Sequence, residues 1–317
     1  MMNKLFSCKK YLAAVATAAL FLPLPLQAED VDWAALNPAV AGATNTNSST
    51  ECLECHEEFM QTFTYSIHGR SLPNGGCESC HGPMSKHMEA PRQEPALVVS
   101  VKNLTAEQSA GVCLSCHEGG KVGGPKGNIK MNWHVSTHSS AGNACIDCHN
   151  PVGMDDPVLA KETQTKVCFA CHQDKRAQSF KRSRHPVREA KVVCSDCHNP
   201  HGSAGNSQLV KNTVNETCYQ CHAEKRGPFL WEHSPVREDC AICHDPHGTT
   251  EDRMLKVRSP FLCQQCHNEA YHPSSIYSAA GIPEFDGAAQ QVLGKSCRNC
   301  HNVIHGSNHP SGSRFTR

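Results

Sequence analysis

The chain has 317 residues, with 21 cysteines, 21 histidines, and 30 basic against 30 acidic side chains. Without cysteine, only about 31% of residues are hydrophobic, against about 45–50% in an ordinary globular domain. That excludes a conventional side-chain core. So much Cys and His also excludes a disordered chain, so something other than side chains must fill the interior.

Residues 1–28 read as a signal peptide. Lys4, Lys9 and Lys10 precede an apolar run from Tyr11 to Leu22, and Ala28 ends a cleavage site. The run is shorter than the roughly 20 apolar residues a spanning helix needs, and no later segment reaches that length either. Cleavage after Ala28 would leave 289 residues, 20 cysteines and a net charge of −3 with histidine neutral. An oxidising compartment permits disulfides, so the cysteines are assigned by their spacing. Residues 29–50, ending in ATNTNSST, read as a flexible leader.

From residue 51 onward every cysteine belongs to a CxxC pair followed at once by histidine. The first five copies are Cys52-Cys55-His56, Cys77-Cys80-His81, Cys113-Cys116-His117, Cys145-Cys148-His149 and Cys168-Cys171-His172. The second five are Cys194-Cys197-His198, Cys218-Cys221-His222, Cys240-Cys243-His244, Cys263-Cys266-His267 and Cys297-Cys300-His301. This composition would produce about 0.1 copies of the c-type haem pattern by chance, so ten are not coincidence. Residues i, i+3 and i+4 share one face of a helical turn. Both sulfurs can form thioethers to one porphyrin edge while the imidazole takes the iron as proximal ligand. A disulfide framework would not need a histidine after every second cysteine, and zinc sites built from CxxC pairs would leave ten histidines surplus.

Eleven other histidines remain, namely His68, His87, His134, His138, His185, His201, His233, His247, His272, His305 and His309. They recur at set places in five two-haem units, whereas the methionines do not. His68, His138, His185 and His233 stand before the second motif of a unit. His87, His201, His247 and His305 closely follow it, as in the near copies CHNPHG (197–202) and CHDPHG (243–248). The fifth unit is looser, with His272 early in a long loop. After His149 the chain reads NPVG, with Val152 where a ligand is expected, so the fourth haem needs its ligand from elsewhere. His134 and His309 are the unassigned candidates. His134 fits no repeat, so the reading takes His309 as the tenth distal ligand and His134 as the spare.

Ten haems on 289 residues cannot each be wrapped by protein. The expected fold is a multihaem cytochrome c: mostly irregular, with short α-helices, little or no β, and residues 51–317 forming one elongated haem-stacked array of five units. Helical turns are expected at the motifs, over Glu51–Tyr65 and over Thr165–Phe180. Leu97–Val101 carries an isolated strand signal. Two propionates per haem would make the holoprotein acidic, which argues against nucleic-acid binding. Histidine on both faces saturates iron, leaving no position for substrate. The chemistry is then electron transfer, not catalysis.

The ten CxxCH sites, the CHNPHG unit, CYQCHAEKRGPFLWEH (218–233) and CHNVIHGSNHPSG (300–312) resemble the MtrA/MtoA/PioA group of periplasmic decahaem cytochromes (DmsE family) over most of residues 51–317. The resemblance implies bis-histidine haem c chains inserted into an outer-membrane β-barrel porin. It supports His201, His233, His305 and His309 as ligands, and Val152 departs from the family pattern. It further implies periplasmic or inner-membrane cytochromes as partners on one side. On the other side it implies extracellular iron or an outer-surface multihaem cytochrome. Electrons would flow outward in metal reduction or inward in Fe(II) oxidation. A soluble periplasmic shuttle to a terminal reductase is the alternative. A multihaem reductase is disfavoured, because no motif has the CxxCK form of the pentahaem nitrite-reducing enzymes.

Overall fold

Each motif closes a turn of helix on itself. His56, His81, His149, His172, His198, His222, His244, His267 and His301 all donate their backbone N–H to the cysteine carbonyl four residues earlier, at 2.9–3.0 Å. The remaining motif ends the helix Ala106–His117. These bonds keep the two sulfurs and the imidazole on one face. The computed structural model describes residues 31–46, 50–72, 76–90, 94–118, 132–267 and 297–316.

The two motifs of a unit use different local structure. The first sits at the end of an α-helix: Ala106–His117, Lys161–Phe169, Val214–Cys218 or Phe261–Gln264. The second opens on a 3-10 turn: Cys145–Asp147, Cys194–Asp196, Cys240–Ile242 or Cys297–Asn299. The first unit differs, with α-helical turns at Thr50–Leu53 and Glu78–His81. The longest helix, Ala106–His117, is nucleated by a capping box in which Thr105 and Gln108 bond each other's backbone N–H.

The helices expected over 51–65 and 165–180 each occur as two pieces, Thr50–Leu53 with Glu57–Phe63 and Lys161–Phe169 with Gln173–Gln178. In the second pair the break falls beside the motif histidine, where His172 has non-helical backbone (φ −85, ψ 63). The described residues contain isolated bridges but no strand. Leu97–Val101 instead runs from the last residue of the 3-10 turn Pro95–Leu97 to the first of the 3-10 turn Val101–Asn103. There the buried Val99 pairs by backbone with His81 rather than with a neighbouring strand.

Polar side chains tie the two halves of a unit together. Buried Asn215 accepts from the Cys240 N–H and donates to the Val236 and Arg237 carbonyls. Gln164 does the same between the Ser195 N–H and the Val158 carbonyl. Successive units interlock through the glycine after the second motif. A Cβ on Gly202 (φ +100) would lie 2.4 Å from the Asn132 carbonyl oxygen, and one on Gly248 (φ +133) 2.4 Å from that of Gln178. Paired backbone bonds add Ser183 to Thr249 and Trp231 to Ser307 across units.

Residues 31–46 are not a free leader. Val40 is buried, Asn37 donates to the Ala96 and Val98 carbonyls, and Thr46 bonds the buried Glu78 carboxylate. The apolar turn Trp33–Leu36 and the polar Asn and Thr give this segment partners that its low-complexity end does not reveal. Apolar burial elsewhere is sparse. Among the described residues only Val40, Phe63, Met84, Val99, Ala110, Val112, Leu114, Trp133 and Val193 are buried hydrophobics.

Candidate haem sites

The sequence order of the motifs is also their order in space. In every unit the first cysteines of the two motifs are neighbours: Cys52 with Cys77, Cys113 with Cys145, Cys168 with Cys194, Cys218 with Cys240, and Cys263 with Cys297. Between units the second cysteines approach: Cys80 with Cys116, Cys148 with Cys171, Cys197 with Cys221, and Cys243 with Cys266. No disulfide is formed among the twenty described cysteines. Among the described residues no three His, Cys, Asp or Glu side chains converge to hold a bare ion.

The histidines instead face one another in pairs, each joining a motif histidine to one outside a motif. Ring centroids lie 6.0 Å apart for His117 and His68, 6.1 Å for His172 and His138, and 6.3 Å for His222 and His185. The His267–His233 pair is at 6.1 Å. The second motifs give His149–His201 at 5.9 Å, His198–His247 at 6.1 Å and His244–His305 at 6.2 Å. Two metal–imidazole bonds of about 2 Å, with each centroid roughly 1 Å behind its ligating nitrogen, would separate the centroids by about 6 Å. The pairs therefore fit an iron between them, and the adjacent cysteines fit the thioether edge of its porphyrin.

The pairing follows one rule. A histidine between the two motifs of a unit faces the first motif of the next unit. A histidine after the second motif faces the second motif of the preceding unit. His149 thus faces His201, a histidine from outside its own unit, as expected from Val152, but His201 is neither of the two expected candidates, His134 and His309. Under the same rule residue 152 belongs to the motif of His81. Neither His56 nor His81 has a facing imidazole among the described residues.

Nδ1 contacts orient these rings. His68, His138 and His185 place Nδ1 against the carbonyls of Pro151, Pro200 and Pro246 at 3.0, 3.1 and 2.8 Å. His233 has a buried Nδ1 short of a full hydrogen bond, with the Ile304 backbone facing it. On the motif side, His81, His198, His244 and His301 place Nδ1 against the carbonyls of Val99, Ser207, Arg253 and Arg314. Donation from Nδ1–H fixes the tautomer that leaves Nε2 free for a metal. Burial, with a smaller push from the facing imidazoles, holds His117, His201, His233, His247 and His305 below the usual histidine range, His201 at about 4; at His247 and His305 the positive charges of Lys175 and Lys225 add more than the facing ring does. Burial is the larger cause in each, and it favours the neutral ring that ligation requires.

The other predicted ligands are placed less regularly. His87 sets Nδ1 against the Glu94 carbonyl at 3.2 Å. His309 does the opposite, its Nδ1 accepting from the Ser311 N–H at 3.1 Å. His134 is 65% exposed and pairs through Nε2 with Glu118 at 3.4 Å. His272 lies outside the described residues. The sequence reading missed the acceptors. For the five second-motif histidines, four are backbone carbonyls without a side-chain signature, although the left-handed pairs Ser207-Gln208 and Arg253-Met254 recur 46 residues apart. The fifth is a carboxylate, Asp156, on His149.

The doubled CXXCH motif family matches residues 138–177, 185–227 and 233–272. The multihaem cytochrome MtrA of Shewanella baltica (strain OS185) is 43% identical over 286 residues, spanning 87% of this chain and 83% of the relative. The cytochrome c-type protein NrfB of Haemophilus influenzae is 30% identical over 90 residues, 28% of this chain and 33% of NrfB. With its paired CxxCH motifs and near-complete alignment to MtrA, the chain belongs to the MtrA family of multihaem c-type cytochromes, electron-transfer proteins that bind haem c.

Proposed function

We propose that this chain holds ten haem c groups, each between two histidines, and conducts electrons across the outer membrane inside a β-barrel partner. The observation that carries the reading is the set of facing imidazole pairs, which would occupy both axial positions. In this reading Cys52, Cys55, Cys77, Cys80 and their sixteen counterparts form the thioethers. The motif histidines are proximal ligands, and His68, His87, His138, His185, His201, His233, His247, His272, His305 and His309 are distal. When bound, haem supplies reversible one-electron chemistry. The residues hold it, keep each ring neutral and oriented, and leave no iron position for substrate, so the chain transfers electrons without transforming a bound molecule.

Sequence-order packing of the motifs supports a single path from one end to the other. No helix of the described residues is long and apolar enough to cross a membrane, and irregular backbone cannot face lipid. A closed barrel around the chain resolves that conflict. Periplasmic or inner-membrane cytochromes would exchange electrons at one end. Extracellular iron or an outer-surface multihaem cytochrome would do so at the other, in Fe(II) oxidation or metal reduction. Gentle detergent extraction of outer membranes followed by affinity capture of the chain tests the proposal. Copurification of a large β-barrel protein is the expected result. Recovery of the chain alone from the periplasmic fraction would replace this reading with the soluble shuttle.

A further inference from the structure

The five second-motif histidines all have an acceptor at Nδ1, and one acceptor differs in kind. His81, His198, His244 and His301 meet backbone carbonyls at 2.8, 2.9, 2.8 and 2.6 Å. His149 meets the Oδ2 carboxylate oxygen of Asp156 at 2.6 Å. The Asp156 side chain is only 14% exposed, and its Oδ1 is fixed by the Val158 N–H at 3.2 Å. Two other histidines have a carboxylate near Nδ1, but at 3.8 Å for His222 with Glu224 and 3.5 Å for His247 with Asp245. Both contacts are longer than that of His149.

We propose that Asp156 is a positioning residue that makes the haem of the fourth motif lower in potential than the other second-motif haems. The inference rests on the ligation of that haem by His149. A carboxylate at this distance forms a charge-assisted hydrogen bond, about twice as strong as the neutral bonds to carbonyls. It draws the Nδ1 proton toward itself and makes Nε2 a stronger donor, which favours ferric iron. Its negative charge also opposes the added electron of reduction. The two effects have the same sign. The loop that carries Asp156 is the one that departs from the repeat, reading NPVGMDDP where others read NPHG or DPHG. One rewritten loop thus removes a histidine at residue 152 and supplies a carboxylate to His149. Since the fourth motif lies between the third and fifth in space, its haem forms a step of low electron occupancy inside the path.

The test uses the full-length holoprotein and its Asp156→Asn and Asp156→Glu variants in spectropotentiometric titration. Asn keeps the size and an acceptor oxygen but removes the charge. It is expected to move one-tenth of the haem absorbance to higher potential, while Glu leaves the profile near that of the parent. Near-infrared magnetic circular dichroism of the unaltered protein gives an independent reading. A band of one-tenth intensity at higher energy, marking imidazolate character, should be present in the parent and absent from Asp156→Asn. An unchanged titration in Asp156→Asn, or an equal shift of all haems, overturns the proposal. So does the absence of the band from the parent, which decides the matter even where Asp156→Asn fails to assemble. Intact mass showing ten attached haems, together with loss of one low-spin haem signal from electron paramagnetic resonance in His149→Ala, checks the underlying attachment and ligation separately.

Discussion

His149 and His201 face each other with ring centroids 5.9 Å apart and planes 13° from parallel, although they belong to different two-motif units. The shared site therefore needs both units in place, and it gives a direct test of the pairing rule. His201→Met is expected to convert one haem from bis-histidine to histidine–methionine ligation and to raise its potential. Adding Cys145→Ser and Cys148→Ser, which remove the fourth haem, should abolish that effect. Adding Cys194→Ser and Cys197→Ser, which remove the sixth, should leave it. The opposite pattern in redox titrations would assign His201 to its own unit.

Two of the less regular histidines should separate in the same assay. His87 presents Nδ1 to the Glu94 carbonyl, the arrangement that frees Nε2. His134 is largely exposed and already engages Glu118 through Nε2. His87→Met is expected to change one low-spin haem signal in electron paramagnetic resonance, and His134→Met none. A change in the His134 variant alone would reverse the roles given to these residues.

Much of the site was legible because covalent haem attachment imposes fixed local spacing. Ten motifs and the recurring histidines can be read from residue order, since i, i+3 and i+4 share a face in any helical turn. The partner of each ring could not be read this way. It depends on how one unit packs on the next, and the nearest histidine in sequence to His149 is not the one that faces it. Val152 shows the difference. In residue order it belongs to the motif of His149, but by the packing rule it belongs to that of His81. The docking of residues 31–46 was hidden for a related reason. Its anchors are single residues, Asn37 and Thr46, that bond partners 32 to 61 positions away.

Glycine substitutions should report the interlocking of units. Gly248 has φ +133 and its added Cβ would sit 2.4 Å from the Gln178 carbonyl oxygen, a backbone atom that cannot swing aside. Gly248→Ala is expected to destabilise the holoprotein by about 1–3 kcal/mol. Gly111 makes the contrasting case. It lies within the helix Ala106–His117, two residues before Cys113 and so on the face opposite the motif, and an added Cβ meets nothing within 4 Å. Gly111→Ala is expected to stabilise by about 0.5–1 kcal/mol through helix propensity. Thermal melts followed by circular dichroism distinguish the two. Equal effects at both positions would argue against a packed contact at Gly248.

Removing the haems should remove the fold. The described residues bury nine hydrophobic side chains, and the one cluster among them is Ala110, Leu114 and Trp133 packed against Cys145. Ordering each residue costs about 1–2 kcal/mol of backbone entropy, which so little apolar burial cannot offset. Chain produced without haem attachment, its cysteines kept reduced, is therefore expected to give a disordered far-ultraviolet spectrum and no cooperative melt. The ten-haem form should melt cooperatively. A cooperative transition in the haem-free chain would mean that polar staples such as Asn215 and Gln164, with the cross-unit backbone bonds, carry more of the stability than the porphyrins do.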